Sequence, residues 1–459
     1  MLIKNLLKCR NISISQCRKK STNRNILNLR ERGMFHDLFP DNSANSVVDL
    51  LNASPQCVYG GFDPTADSLH VGNLLILTNL IHWQRGGHQV IALVGGATAK
   101  IGDPSGRTTE RDPLTTKFVD DNVEGIHKNI KTIFENHEKH FWNEETKKLL
   151  PVKILNNENW YKQISAVDLI GGAGRHLRMG TLISRTSVQT RLKSSEGMSF
   201  TEFSYQLFQA YDWLYLFQKH NCKFQVGGSD QMGNMMSGHE LISKVCKQPV
   251  FGLTLPIITT EMGDKFGKSA GNAVWLSPQK TSPFTFYQFW MRQTDAEVEK
   301  MLLLFSFLSV GEIKDLMRQH HEKPELRKPQ KILADQVTLL VHGEEGLNSA
   351  RLTTKALYQG SVAALGNLKA EQIAEIFQGA TIVELLPEPG QSILDLAMKV
   401  QCFPRIEDAV RIISAGGFYI NQQKANNPNE ILNNNVHRLS NNVSLLRVGK
   451  KNYYVVKWI

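Results

Sequence analysis

The strongest constraint on how this chain folds is a recurring order of short apolar run, glycine-rich turn and helical stretch. Residues 56–62 are β-patterned, and the following stretch from Asn73 to Gln84 places Leu74, Leu77, Leu80 and Ile81 on one helical face. His88 to Val94 is an apolar run of strand length that ends in Gly95-Gly96. Lys223 to Val226 enters Gly227-Gly228, and a helical pattern follows from about 231 to 245. This alternation predicts an α/β fold with a doubly wound parallel sheet. Ligands of such sheets lie beyond the carboxyl ends of the strands, so the glycine turns are where chemistry is sought.

With 459 residues, at roughly 100–200 per domain, the chain has room for about three domains. Residues 28–52 read as a helix and connector. From Ser277 the pattern becomes helical to about 385, opening with Phe284, Phe286, Tyr287, Phe289 and Trp290 close together. These aromatics read as packing at a domain junction, with base stacking as the alternative. Leu386 to Gly390 is a Pro- and Gly-containing break, after which a compact tail carries strand runs at 418–420 and 453–456. The longest strongly apolar run, Met301 to Val310, is far short of the ~20 residues that cross a bilayer. No membrane span is expected.

The net charge of +10 is concentrated at the two ends. Residues 1–24 hold seven Lys or Arg and no acid, with Leu2, Ile3, Leu6 and Leu7 able to form an apolar helical stripe, as in a mitochondrial transit peptide. A basic arm that stays on the protein is the alternative. Residues 402–459 hold eight basic and three acidic residues. The six cysteines show neither C-x-x-C pairing nor zinc spacing, which fits a reducing compartment and predicts neither a disulfide framework nor a structural metal.

Two glycine motifs fail on inspection. Gly263 to Ser269 is one residue short of a P-loop because position 262 is Met. Gly171-Gly-Ala-Gly174 lacks a third glycine and a preceding strand, and reads as a loop. Two other segments carry chemistry. Tyr59 to Asn73 joins a strand to a helix start whose free amides attract anions, where Thr65 and His70 can donate to phosphate and Gly72 lets a flat ring approach. The loop Lys265-Phe-Gly-Lys268-Ser269 can bring two ammonium groups over a triphosphate and neutralise charge on a departing pyrophosphate. A third cluster, Tyr205, Gln209 and Asp212, shares one helical face among apolar neighbours and predicts a polar pocket lining.

The paired segments resemble the HIGH and KMSKS signatures of class I aminoacyl-tRNA synthetases. The runs GFDPTADSLH (61–70), ALVGGATAKIGDPSGR (92–107), SFTEFSYQLFQAYD (199–212) and GGSDQMGN (227–234) resemble bacterial-type tyrosyl-tRNA synthetases and, with the leader, their mitochondrial forms. The resemblance covers nearly the whole chain from about residue 28. It implies a leader over 1–27, a Rossmann-like catalytic domain with a dimerisation insertion over 28–276, a helical anticodon-binding domain over 277–388, and a small α+β RNA-binding domain over 389–459.

The activity implied is a tyrosine–tRNA ligase acting in the mitochondrial matrix. ATP, accompanied by Mg²⁺, and L-tyrosine would give tyrosyl-adenylate, and the tyrosyl group would pass to the 3′ end of tRNA(Tyr). By the same resemblance Tyr59 and Asp212 bind the phenolic hydroxyl, and Tyr205, Gln209 and Asp103 hold the ammonium group. Asp63, Gly228, Asp230 and Gln231 surround the ribose, α-phosphate and substrate carboxylate, and Gly72 belongs to the ATP site. Thr65, His70, Arg107, Arg111, Lys265 and Lys268 act on the phosphates, and Asn73 is an implied catalytic and ATP-binding position whose departure bears on the ribose contacts. Arg405, Arg411, Lys424, Arg447, Lys450 and Lys451 are the implied tRNA contacts, and a homodimer interface is implied near Phe200 to Phe203. The chain departs from the pattern at Asn73, where HIGH ends in His, and at Gly60, Arg107 and Met232, where bacterial members often carry Cys, Lys and Trp. An RNA-binding scaffold derived from such an enzyme and a tryptophan-specific relative are the rival readings.

Overall fold

The computed structural model describes residues 24–107, 109–142, 148–258, 267–269, 272–359, 365–366, 368–376, 380–449 and 452–459. Contacts divide the chain into one unit ending at Gly343 and a second from Glu344 to Ile459.

The first unit is built on a six-stranded sheet of β1 (Leu38–Phe39), β2 (Cys57–Phe62), β3 (Gln89–Val94), β4 (Lys153–Asn156), β5 (Cys222–Gly228) and β6 (Phe251–Leu255). Their spatial order is β1-β6-β5-β2-β3-β4, parallel throughout except for the antiparallel edge strand β1. The chain winds outward in one direction through β2, β3 and β4 and in the other through β5 and β6. The crevice between β2 and β5 is therefore the topological switch point, where a doubly wound sheet binds its ligand.

The helices that matter for the site are α1 (Val71–Arg85), α2 (Thr116–Phe141), α3 (Thr186–Leu192), α4 (Phe200–His220), α5 (Met232–Cys246) and α6 (Val298–Phe305). Sequence periodicity predicts one apolar face on α1, yet the helix is buried nearly all round, with Leu74, Leu77, Leu80, Ile81 and Trp83 fully enclosed. The cause is that α1 packs on β2 and β3 while α6 packs against it from elsewhere. Each such side chain stabilises the fold by roughly 1.5–3 kcal/mol, so the site rests on a rigid helix. Gly171 to Gly174, expected as a loop, instead lies in a π-helical turn over Leu169–Ala173 followed by a 3₁₀ turn over Gly174–His176.

Residues 1–23 of the expected leader lie outside the described residues. From Arg24 the chain belongs to the fold. Asn25 caps a 3₁₀ helix, Ile26–Arg32, that starts two residues before the helix expected from 28, and Ile26 is buried. The Arg32 guanidinium donates to the carbonyls of Leu302, Leu303, Ser306 and Leu308 around the end of α6, tying this segment to the helical region. Phe286, Tyr287 and Trp290 are buried, which agrees with packing and removes them as free stacking surfaces.

In the second unit β7 (Thr381–Leu385), β8 (Phe418–Ile420), β9 (Gln423–Ala425), β10 (Val443–Val448) and β11 (Asn452–Trp458) form a sheet ordered β9-β8-β10-β11-β7. Strand β7 pairs in parallel with β11, so Thr381–Leu385, placed by sequence before the 388/389 division, shares the sheet of the tail. Helices Ile393–Lys399 and Ile406–Ser414 complete its core around Phe403, Phe418 and Leu446.

Candidate active site

A cavity of about 1260 Å³ opens at the carboxyl ends of β2, β3, β5 and β6. Its wall includes Tyr59, Asp63, Thr65, His70, Gly72, Asn73, Asp103, Arg107, Arg111, Tyr205, Gln209, Asp212, Gly228, Asp230 and Gln231. All catalytic and ligand-binding positions implied by the sequence thus meet in one cavity, except Lys265 and Lys268. Lys265 lies outside the described residues, and Lys268 is described in its backbone alone.

At one end α1 begins. His70 is its N-cap, accepting the Gly72 amide on Nδ1 at 3.0 Å, while the Asn73 side-chain oxygen accepts the His70 amide at 3.1 Å. This reciprocal cap fixes the helix start and leaves its amide-rich end toward the cavity. Asn73 therefore serves first as a cap, a role the HIGH comparison does not suggest. The second signature runs alongside. The Val71 amide donates to Val274, and Val274 donates to Gly267, whose φ of +77° brings the backbone against Val71. Expected as a flexible loop, its described part is a short hairpin pairing Lys268–Ser269 with Asn272–Ala273.

At the other end Asp212 is buried, accepting from Asn157 Nδ2 at 3.0 Å and Trp160 Nε1 at 2.9 Å. Burial pushes its carboxyl up to about 7, against the pull of these donors. Tyr59 lies beside it, almost wholly enclosed, and its hydroxyl has no hydrogen-bond partner among the described residues. Burial and the Asp212 charge raise this phenol well above its ordinary value, so it stays protonated. An acceptor and an unpaired hydroxyl thus converge on the cavity, and a hydroxyl-bearing ligand would satisfy both.

Between the two ends, Tyr205 donates to Asp63 Oδ2 at 2.8 Å and Thr98 donates to Asp63 Oδ1 at 2.7 Å. Burial raises the Asp63 carboxyl to about 6. Gly95 makes this possible, because a Cβ there would stand 2.0 Å from Asp63 Oδ1. Tyr205, expected at the ammonium group with Gln209 and Asp103, therefore also orients Asp63. Asp103 accepts from Gln231 Nε2 at 2.6 Å and from the Ser105 amide at 2.9 Å. Sequence reasoning missed Asn157, Trp160 and Thr98 as the supports of Asp212 and Asp63. Thr98 falls in the ALVGGATAKIGDPSGR run, whereas Asn157 and Trp160 belong to no motif.

Of the implied tRNA contacts, Arg405, Arg411 and Lys424 are exposed, and Arg447 lies 3.8 Å from the Tyr419 ring centroid. Lys450 and Lys451 lie outside the described residues. Among the described residues no three His, Cys, Asp or Glu side chains form a group able to hold a metal, and no helix is long and apolar enough to cross a membrane.

A doubly wound sheet, an anion-attracting helix start at its switch point and a second signature docked beside it define a class I nucleotide-dependent synthetase site. Residues 51–359 match the family described as tRNA synthetases class I (W and Y). The chain is 55% identical over 460 residues to the mitochondrial tyrosine–tRNA ligase of Drosophila melanogaster, covering 100% of this chain and 99% of that one. It is 49% identical to the corresponding Homo sapiens protein, over 94% of this chain and 91% of the other. A solved structure of a C-terminally truncated Aspergillus nidulans mitochondrial tyrosyl-tRNA synthetase aligns with a TM-score of 0.66 and 30% identity, covering 74% of this chain and 95% of that chain. The chain belongs to this class I family, and within it to the tyrosine–tRNA ligases.

Proposed function

We propose that the chain is a mitochondrial tyrosine–tRNA ligase of the matrix. The observation that carries the reading is the convergence of the unpaired Tyr59 hydroxyl and the Asp212 carboxylate on the cavity that also holds the start of α1. The phenolic hydroxyl of tyrosine donates to Asp212 and meets Tyr59, while Tyr205, Gln209 and Asp103 face its ammonium group and Gln231 its carboxylate. Asp63, Gly72, Gly228 and Asp230 take the ATP ribose and α-phosphate. In the first step a carboxylate oxygen attacks the α-phosphorus, the bond to the β-phosphate breaks, and pyrophosphate leaves with its electron pair. The carboxylate is already a nucleophile, so no general base is required. Catalysis comes from alignment and from cations on the leaving group. Thr65, His70, Arg107, Arg111, Lys265 and Lys268 supply that stabilisation, with Asn73 holding the His70 cap. Mg²⁺ would accompany ATP and offset part of the negative charge of its phosphates. In the second step a hydroxyl of the tRNA's terminal adenosine attacks the acyl carbon and AMP departs.

The division into a catalytic region over 28–276, an anticodon-binding region over 277–388 and an RNA-binding tail over 389–459 belongs to the same proposal. Arg405, Arg411, Lys424, Arg447, Lys450 and Lys451 contact tRNA phosphates, which the exposure of the first three supports. Homodimerisation through the Phe200–Phe203 face is supported by the exposure of Phe200, Val167, Ile170 and Met179 in this insertion. The deciding experiment is amino-acid-dependent exchange of pyrophosphate into ATP with tyrosine, phenylalanine and tryptophan in parallel. Exchange with tyrosine alone is expected; no exchange, or a preference for tryptophan, refutes the assignment.

A further inference from the structure

We infer that Lys280 is a positioning residue for adenylate formation, a latch between the loop that carries His70 and the strand that leads out of the second signature. This inference rests on the ligase reading. The Asp67–His70 segment is held on one side by α2. Asn129 Oδ1 accepts the Leu69 amide, and a Cβ on Gly125 would stand 2.0 Å from the Asp67 carbonyl oxygen. On the other side lies the stretch from Asn272 to Leu276, whose Leu276 amide donates to Leu69 and whose Val274 carbonyl accepts the Val71 amide. Backbone bonds join the two segments at these points, and the Ser68 hydroxyl accepts the Ser277 amide just beyond them. Lys280 adds a side chain that grips both: its Nζ is 2.6 Å from Asp67 Oδ1 and 4.9 Å from the Trp275 ring centroid.

Trp275 gives the latch a route to the chemistry. Its ring lines the cavity and meets the His70 ring edge-on, with centroids 6.2 Å apart. Its amide donates to Thr281, just beyond Lys280. An exposed ion pair by itself contributes little. Here the ammonium also sits over a ring that touches the cap of α1, so its loss frees the Trp275 strand to shift against His70. The Val274 amide of the same stretch donates to Gly267, next to Lys268, which the ligase reading places at the triphosphate, so the effect falls on ATP and on the step that releases pyrophosphate. The tyrosine end is built on Asn157, Trp160 and Tyr205, which Lys280 does not touch.

The test uses the full-length protein in tyrosine-dependent ATP–pyrophosphate exchange, with the variants Lys280→Met, Lys280→Arg, Asp67→Asn and the Asp67→Asn/Lys280→Met double. Lys280→Met is expected to lower kcat/KM for ATP by about three- to tenfold through both constants, with KM for tyrosine within about twofold and the melting temperature within about 2 °C. Lys280→Arg should restore most of the loss. The double variant should be no worse than Lys280→Met, because both substitutions break one contact. Unchanged ATP kinetics in Lys280→Met, an equal loss on ATP and tyrosine constants, failure of arginine to rescue, or additive losses would each overturn the inference. If Lys280→Met melts early, the arginine and Asp67→Asn variants decide the matter by the same criteria. Absence of exchange in the unmodified protein is a different failure, that of the ligase reading itself.

Discussion

The Tyr59 hydroxyl is buried and unpaired, while Asp212 beside it is held by two donors on the protein. Removing the polar group therefore deletes an unsatisfied hydroxyl at Tyr59 and a titrating carboxyl at Asp212. Tyr59→Phe deletes an unsatisfied hydroxyl, so the melting temperature should stay level or rise, while KM for tyrosine should increase by about two- to tenfold, the equivalent of one hydrogen bond. A fall in stability without a change in KM would mean that the hydroxyl serves the fold. Asp212 gives a pH prediction. Its folded value, about 7, lies above the ordinary 3.8 of an aspartate, so the folded state holds a proton that the unfolded chain has released. Its ionisation costs nothing below about pH 4 and the full penalty above about pH 7, on the order of 4 kcal/mol. Unfolding titrations of Asp212→Asn and the parent protein should therefore diverge in favour of Asn as pH rises from 4 to 7. Parallel curves would show that the carboxyl ionises normally.

At the scale of elements, the most buried charge pair among the described residues joins α3 to α4. Arg191 Nε and Nη2 bind Glu202 Oε1 and Oε2 at 2.7 and 3.0 Å, with both side chains at most 3% exposed. One turn away Ser199, the N-cap of α4, bonds the Glu110 carboxylate of the loop that bears Arg107 and Arg111. Arg191→Ala strands a buried carboxylate and should cost about 3–5 kcal/mol in denaturant unfolding, whereas Arg191→Met with Glu202→Leu should recover most of it. Equal destabilisation by the single and double variants would locate the effect in packing. Helix α4 itself is legible in the sequence, because Tyr205, Gln209 and Asp212 recur at helical spacing and all three reach the cavity. Asn157 and Trp160 are not legible, since they meet Asp212 from 55 and 52 residues away through the carboxyl end of β4, a tertiary contact with no local period. The one-faced pattern expected of α1 failed for a related reason: burial from several sides is set by α6, more than 200 residues downstream.

For the whole molecule, the cavity is lined entirely by residues between Tyr59 and Trp275, inside the unit that ends at Gly343. The four described tRNA candidates, Arg405, Arg411, Lys424 and Arg447, belong to the other unit. The long helix Lys328–Gln359 is broken where the units divide, at Gly343 with φ +67° and ψ −170°, a conformation open essentially to glycine alone. A chain ending at Gly343 therefore keeps every described cavity residue and loses every residue assigned to phosphate contacts in the tail. Tyrosine-dependent pyrophosphate exchange should survive within about twofold, since the chemistry of activation draws on nothing downstream. Aminoacylation of tRNA should fall by about tenfold or more, and the residual tRNA affinity should decline less steeply with salt, because each lost phosphate contact removes about 0.7 to 0.9 from the slope of log K against log salt. Loss of exchange would show that the second unit supports the catalytic one, and an unchanged salt slope would place the tRNA contacts on the first unit.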